Sequence, residues 1–144
     1  MGTHQGRRTD AARRQRNPIA AVFAANSPGM DRRQTGTLAE NSACAFLEAQ
    51  GFTIVTRNFL RRIGELDIVA RAGDLLVVAE VRTRGTERFG GAAASITRPK
   101  QRRIAATTSL LLQQYRELRN CRVRFDVIVI RNGTVEWLKH AFDA

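Results

Sequence analysis

Two carboxylates stand where strand cores are otherwise apolar: Asp67 in GELDIVA and Glu80 in LLVVAEV, on either side of the turn residues Ala72, Gly73 and Asp74. An ionised carboxylate taken out of water costs several kcal/mol unless a cation, a metal or solvent compensates it. Arg82, Arg57 or Arg62 could supply the first remedy as a salt bridge with no chemistry attached. The second remedy is a small hard cation, Mg²⁺ or Mn²⁺, which takes oxygen ligands at roughly 2.0–2.1 Å and often keeps several waters. Two carboxylates and a backbone carbonyl would make a partial cage for it. Such an ion polarises a phosphodiester and lowers the pKa of the attacking water, which is hydrolase chemistry.

Whether the two acids can meet depends on the hairpin that carries them. Side chains alternate faces along a strand, and partners across a hairpin share a face. A two-residue loop at Ala72 and Gly73 pairs Glu65 with Glu80 and sets Asp67 on the diagonal. A loop at Gly73 and Asp74 sets Asp67 directly opposite Glu80. A three-residue loop would send the two acids to opposite sides of the sheet. Arg82 shares the face of Glu80 in every case, because it lies two residues further along the same strand.

The neighbouring elements are legible from periodicity. Leu38, Ala39, Ala43, Phe46 and Leu47 recur at helical spacing from Thr37 until Gly51 stops the helix. Residues 52–58 read as a β-rich strand, and 63–70 and 75–83 as the acid-bearing hairpin. Thr97 caps a second helix, Pro99 suits its first turn, and Ile104, Thr108, Leu111, Leu112 and Tyr115 give it an apolar face up to Asn120. RVRFDVIVI and TVEWLKHAF flank Asn132-Gly133, a strong two-residue hairpin signal. The order is α-β-β-β-α-β-β, an α/β fold.

With 144 residues, 43% hydrophobic and 26% charged, the chain is long enough for one core and short for two. Residues 1–34 hold seven arginines against two aspartates and are expected to form a disordered basic arm, leaving 35–144 as the folded domain. The seven-residue apolar run 19–25 falls far below the roughly 20 needed to span a bilayer. Cys44 and Cys121 form neither a zinc pattern nor a disulfide framework, which suits the cytoplasm. The formal charge of +11 favours a polyanionic partner, first of all nucleic acid, rather than a membrane. Arg98, Lys100, Arg102 and Arg103 crowd the start of the second helix. Cations there run against the helix dipole, so the cluster reads either as a grip on phosphates or as a solvated face.

In order, GTLAE, RNFLRRIGELDIVA, AEVRTRG, FGGAAASITRPKQRR and RFDVIVI resemble the YraN family of uncharacterised bacterial proteins, over nearly all of residues 36–144. That family is similar to the PD-(D/E)XK nucleases and, among them, to archaeal Holliday junction resolvases. The resemblance implies a restriction-endonuclease-like core, α-β-β-β-α-β, with a mixed sheet flanked by helices and a C-terminal hairpin strand. It makes Asp67 and Glu80 the metal-binding acids, joined by Glu40 from the first helix, and gives Gln101 the place of a glutamine on the second. Without it, Glu40 could close a capping box with Thr37, and Gln101 could be a solvated helix residue.

The departure is Arg82, which stands where the nuclease pattern has a lysine. A guanidinium stabilises charge but cannot serve as a general base. Arg82 could therefore hold the scissile phosphate, a shifted lysine at Lys100 could replace the missing amine, or cutting could have been lost. By the resemblance, the expected activity is Mg²⁺-dependent cleavage of branched or structured DNA, with homodimers because two strands need cutting. The alternatives are a non-catalytic nucleic-acid-binding module and a protein-interaction adaptor.

Overall fold

The computed structural model describes residues 32–83 and 96–143. Its elements are α1 (Arg32–Ala49), β1 (Thr53–Arg61), β2 (Gly64–Ala72), β3 (Leu75–Arg82), α2 (Arg98–Gln114), β4 (Arg122–Arg131) and β5 (Thr134–Phe142), with a 3₁₀ turn at Arg116–Leu118. The five strands form one sheet in sequence order. All neighbours are antiparallel except β3 and β4, which run parallel and are bridged by α2. This is the mixed α/β sheet and the element order expected from the sequence.

Strands β2 to β4 are apolar on both faces because a helix covers each face. Ile68, Ala70, Val77, Ala79, Ile128 and Ile130 pack with Ala43, Phe46 and Leu47 of α1. Val69, Leu76, Val78, Val127 and Val129 pack on the other side with Ile104 and Leu111 of α2. Alternate residues of one strand thus feed two cores. Trp137 of β5 joins the α1 layer through edge-to-face contacts with Phe46 and Phe52, at centroid distances of 5.5 and 5.9 Å.

Helix α1 begins at Arg32, five residues before the start expected at Thr37. Glu40 is therefore in mid-helix, and Thr37 is no N-cap, which removes the capping-box reading. Apart from Arg32–Gln34, which open α1, the basic segment 1–34 lies outside the described residues, as does the FGGAAAS stretch before α2. Helix α2 starts as read, with Thr97 as N-cap accepting a bond from the Lys100 amide at 3.3 Å and a proline in the first turn.

The hairpin register is the one with Gly73 and Asp74 in the loop, since Ala72 pairs with Leu75 and Ile68 with Ala79. Gly73 takes φ +61°, the left-handed backbone that a tight hairpin loop needs at its first central position. Asn132 and Gly133 both take positive φ, at 48° and 76°, and close the β4–β5 hairpin as the dipeptide requires.

Candidate active site

The sheet opens at Asp67. Pairing of β2 with β3 stops at Ile68 and Ala79. On the other side, pairing of β1 with β2 passes from Arg57–Ile68 to Phe59–Leu66 without joining Asn58 to Asp67. Asn58 takes φ +51°, a conformation that asparagine tolerates better than most side chains. The alternation of faces breaks at the same point: Leu66 packs in the α2 layer, while Ile68, two residues on, packs in the α1 layer. Strand β2 therefore brings Asp67 into a split between strands instead of simply onto a face. Its Oδ2 accepts the Val81 amide at 3.0 Å, a bond that bridges the split to the residue after Glu80.

Asp67 and Glu80 line one cavity of about 100 Å³ together with Gly64, Glu65, Lys100, Arg103 and Ile104. Strands β2 and β3 supply its floor and the start of α2 its wall. Glu80 is 4% exposed. Its Oε2 lies 3.1 Å from Lys100 Nζ and 3.9 Å from Arg82 Nη2. Burial, helped by the charge of Asp67, nevertheless pushes the Glu80 carboxyl up to about 7, against the pull of Lys100 and Arg82. Loss of hydration outweighs two cations here because the carboxylate is inside the fold while both cations are partly solvated. Asp67 forms no ion pair with an arginine among the described residues.

Glu40 belongs to the same neighbourhood without entering the cavity lining. Its carboxylate lies 3.8 Å from Arg57 Nη2 and bonds to the Asn58 side chain. Burial raises its pKa first, and Asp67 adds to the effect, while the Asn58 bond and Arg57 oppose it. Gln101 is also outside the lining; its side-chain amide donates to the Ile96 carbonyl at 3.0 Å and ties down the approach to α2. It is neither a solvated residue nor in reach of the acids by any bond of its own. Arg98 and Arg102 are exposed beside the site, whereas Lys100 and Arg103 of the same cluster face the cavity. Arg103 is itself exposed at the cavity mouth, so Lys100 alone of the cluster is half-buried.

A divalent cation fits this arrangement as a two-carboxylate site completed by water or phosphate oxygens. Mg²⁺ characteristically binds through one or two carboxylates and keeps its remaining positions for such ligands. Among the described residues no group of three His, Cys, Asp or Glu is gathered to hold an ion by protein ligands alone. Asp67 has one oxygen committed to Val81, and Glu80 has its Oε2 on Lys100, so each can offer the other oxygen.

Sequence reading passed over a third strand carboxylate, Asp126, which is fully buried. Arg124 grips it with two bonds of 2.9 and 2.8 Å, Trp137 Nε1 donates at 2.8 Å and the His140 amide at 2.9 Å. The Trp137 and His140 bonds fasten β5 to β4, while the two from Arg124 pair the acid with a cation on its own strand. Its signal was the same one that marked Asp67 and Glu80, an acid inside an apolar run. A larger depression of about 260 Å³ lies at the β4–β5 turn, lined by Val129, Arg131, Asn132, Thr134 and Glu136, and it gathers no second carboxylate.

Fold and site define a mixed-sheet α/β protein with two acids converging at a split between strands. The model of uncharacterised protein family UPF0102 matches residues 39–130. Curated relatives cover most of the chain. A UPF0102 protein of Cupriavidus metallidurans is 46% identical over 117 residues, 81% of this chain and 86% of that protein. One of Hahella chejuensis is 47% identical over 74% of this chain and 88% of its own length. The UPF0102 protein lpg2994 of Legionella pneumophila is 40% identical over 78% and 97%. The chain belongs to UPF0102, the YraN family. No helix among the described residues is long and apolar enough to cross a membrane.

Proposed function

We propose that this protein is a cytoplasmic, Mg²⁺- or Mn²⁺-dependent endonuclease acting on branched or otherwise structured DNA, working as a homodimer. The observation that carries the reading is the convergence of Asp67, Glu80 and Lys100 on one small cavity beside exposed arginines. Asp67 and Glu80 would hold the cation, with Glu40 as a further carboxylate on α1 that the cation's charge would favour in its ionised form. When bound there, the ion supplies Lewis-acid polarisation of the phosphodiester and a lowered pKa for the attacking water.

The remaining work falls to the chain's own side chains. Lys100 Nζ, 3.1 Å from Glu80, would position the attacking water and stand in for the lysine that Arg82 displaces from the motif. Arg82, a fixed cation 3.9 Å from the same carboxylate, suits the task of holding charge on the scissile phosphate. Arg98, Arg102 and Arg103 would carry the flanking backbone.

Incubation of the full chain with a four-way DNA junction and Mg²⁺ or Mn²⁺ tests this. Expected are nicks that vanish in EDTA and in Asp67→Ala and Glu80→Ala, and that slow on the order of 10²-fold in Lys100→Ala, the usual cost of one stabilising donor. Salt-sensitive binding without cleavage, indifferent to those substitutions, would reduce the protein to a nucleic-acid-binding module. Absence of any nucleic-acid affinity at physiological salt would instead favour an adaptor for other proteins.

A further inference from the structure

Leu60 and Ile63 are the large hydrophobic side chains that the described residues leave exposed, at 65% and 42%. Single exposed aliphatics are ordinary on a protein surface, but these two share one hairpin tip. Arg61 pairs with Gly64 and Leu60 with Glu65, so the β1–β2 loop consists of Arg62 and Ile63 alone. A short loop with apolar side chains in solvent and no glycine, proline or asparagine in it needs an account.

The tip is tied to α2. Arg61 folds back, its guanidinium 4.0 Å from the Phe59 ring centroid, and bonds to the Leu60 carbonyl at 2.7 Å and to Gln114 at the end of α2. Gly64 lies so close to α2 that a Cβ would stand 2.7 Å from Thr107 Oγ1 and 3.3 Å from the Arg103 carbonyl. The tip is also adjacent to the acids, because Gly64 and Glu65 line their cavity. The exposed charge at the tip is predominantly positive: Arg61 and Arg62 on the hairpin and Arg103 against Gly64, with Glu65 the acid opposite Leu60.

We infer that Leu60 and Ile63 form an apolar wedge that enters an unstacked base step of DNA while the surrounding arginines hold the phosphates. The inference rests on the nuclease reading and names the substrate feature that the same site selects. An aliphatic projection flanked by Arg61, Arg62 and Arg103 suits a polyanion whose interior is apolar, and inserted Leu and Ile side chains are a recurrent means of parting stacked bases. Unstacking costs least where pairing is already interrupted, so the wedge directs the cavity to mismatches, bulges and branch points over continuous duplex.

Binding of the full chain to a continuous duplex, a duplex with a two-nucleotide bulge and a four-way junction should be measured by anisotropy in Ca²⁺. A 2-aminopurine placed at the open step reports unstacking. Expected is a preference of about tenfold or more for the open substrates, with a rise in 2-aminopurine fluorescence. Leu60→Ser with Ile63→Ser should abolish both while leaving duplex affinity within about twofold, since the phosphate contacts remain. Leu60→Met with Ile63→Leu should retain them. Unchanged preference and fluorescence in the serine variant, with cleavage intact, would overturn the wedge and leave the nuclease reading standing. No DNA binding by the native chain would overturn both. A dimer that dissociates on the serine substitutions would assign the tip to self-association and overturn the wedge.

Discussion

Glu80 feels two opposed influences that a titration can separate. Burial and Asp67 push its carboxyl up to about 7, and Lys100 and Arg82 pull it down. Between the ordinary carboxylate value and about 7 the unfolded chain has released this proton while the folded protein still holds it. Stability must therefore fall as pH rises through that window, and Glu40, also raised, acts in the same direction. Thermal midpoints measured from pH 5 to pH 8 should show the decline, and Glu80→Gln should flatten most of it. A divalent cation competes with the same proton, so its affinity should climb over that range in the native protein and not in Glu80→Gln. Asp126 gives the contrasting case. Asp126→Ala strands Arg124 and the Trp137 and His140 donors, and should cost about 3–5 kcal/mol in denaturant unfolding without touching cation binding. All three acids stand in the sequence as carboxylates in apolar runs, but only Asp67 and Glu80 received a role there, from the resemblance. Asp126 finds its partners on a strand whose register shifts between Phe125 and Val127, and no pattern in the sequence announces that shift.

At the scale of elements, the site depends on how closely the β1–β2 hairpin meets α2. Gly64→Ala puts a methyl group against Thr107 and the Arg103 backbone. It should cost about 1–3 kcal/mol in chemical denaturation, because a packed interface does not absorb added volume. It should also weaken cation binding by moving the wall that carries Lys100 away from Glu80. Turns that carry glycine or asparagine were readable as turns: Asn132-Gly133 set the β4–β5 register, whereas Gly73 marked the β2–β3 turn and left three registers open, of which the structure takes the one looped at Gly73 and Asp74. The β1–β2 turn was not, because Arg62 and Ile63 are poor turn residues; β1 accordingly runs to Arg61, three residues past its expected end. The start of α1 was misplaced for a related reason, as the residues ahead of Thr37 show no apolar periodicity. Most consequential was the strict alternation assumed for β2, which fails at Asp67 itself. Two of the three registers open in the sequence brought the acids to one neighbourhood, and the structure takes one of them, while the split, the Val81 bond and the approach of Lys100 belong to tertiary packing.

For the whole molecule, the charge of +11 predicts behaviour that no single contact does. On the proposed nuclease function, affinity for DNA should fall steeply with salt, since each neutralised phosphate contributes a slope of about 0.9 in log affinity against log salt. Replacing Arg98, Arg102 and Arg103 together by Ala should lower that slope by up to about three while leaving the preference for open substrates in place. Fluorescence titrations from 50 to 300 mM KCl would check both parts. The parallel pair β3–β4 has a consequence for how the molecule is made. Strand β4 begins 40 residues after β3 ends, so the meander β1–β2–β3 leaves the ribosome well before its neighbour. During that interval β3 is an open edge whose run from Leu75 to Ala79 is apolar on both sides, and non-local closure of this kind is slow. Nascent chains stalled in this interval are the ones expected to join edge to edge, so overproduction should lose material to aggregates built on LLVVA, and slower synthesis at lower temperature should recover it.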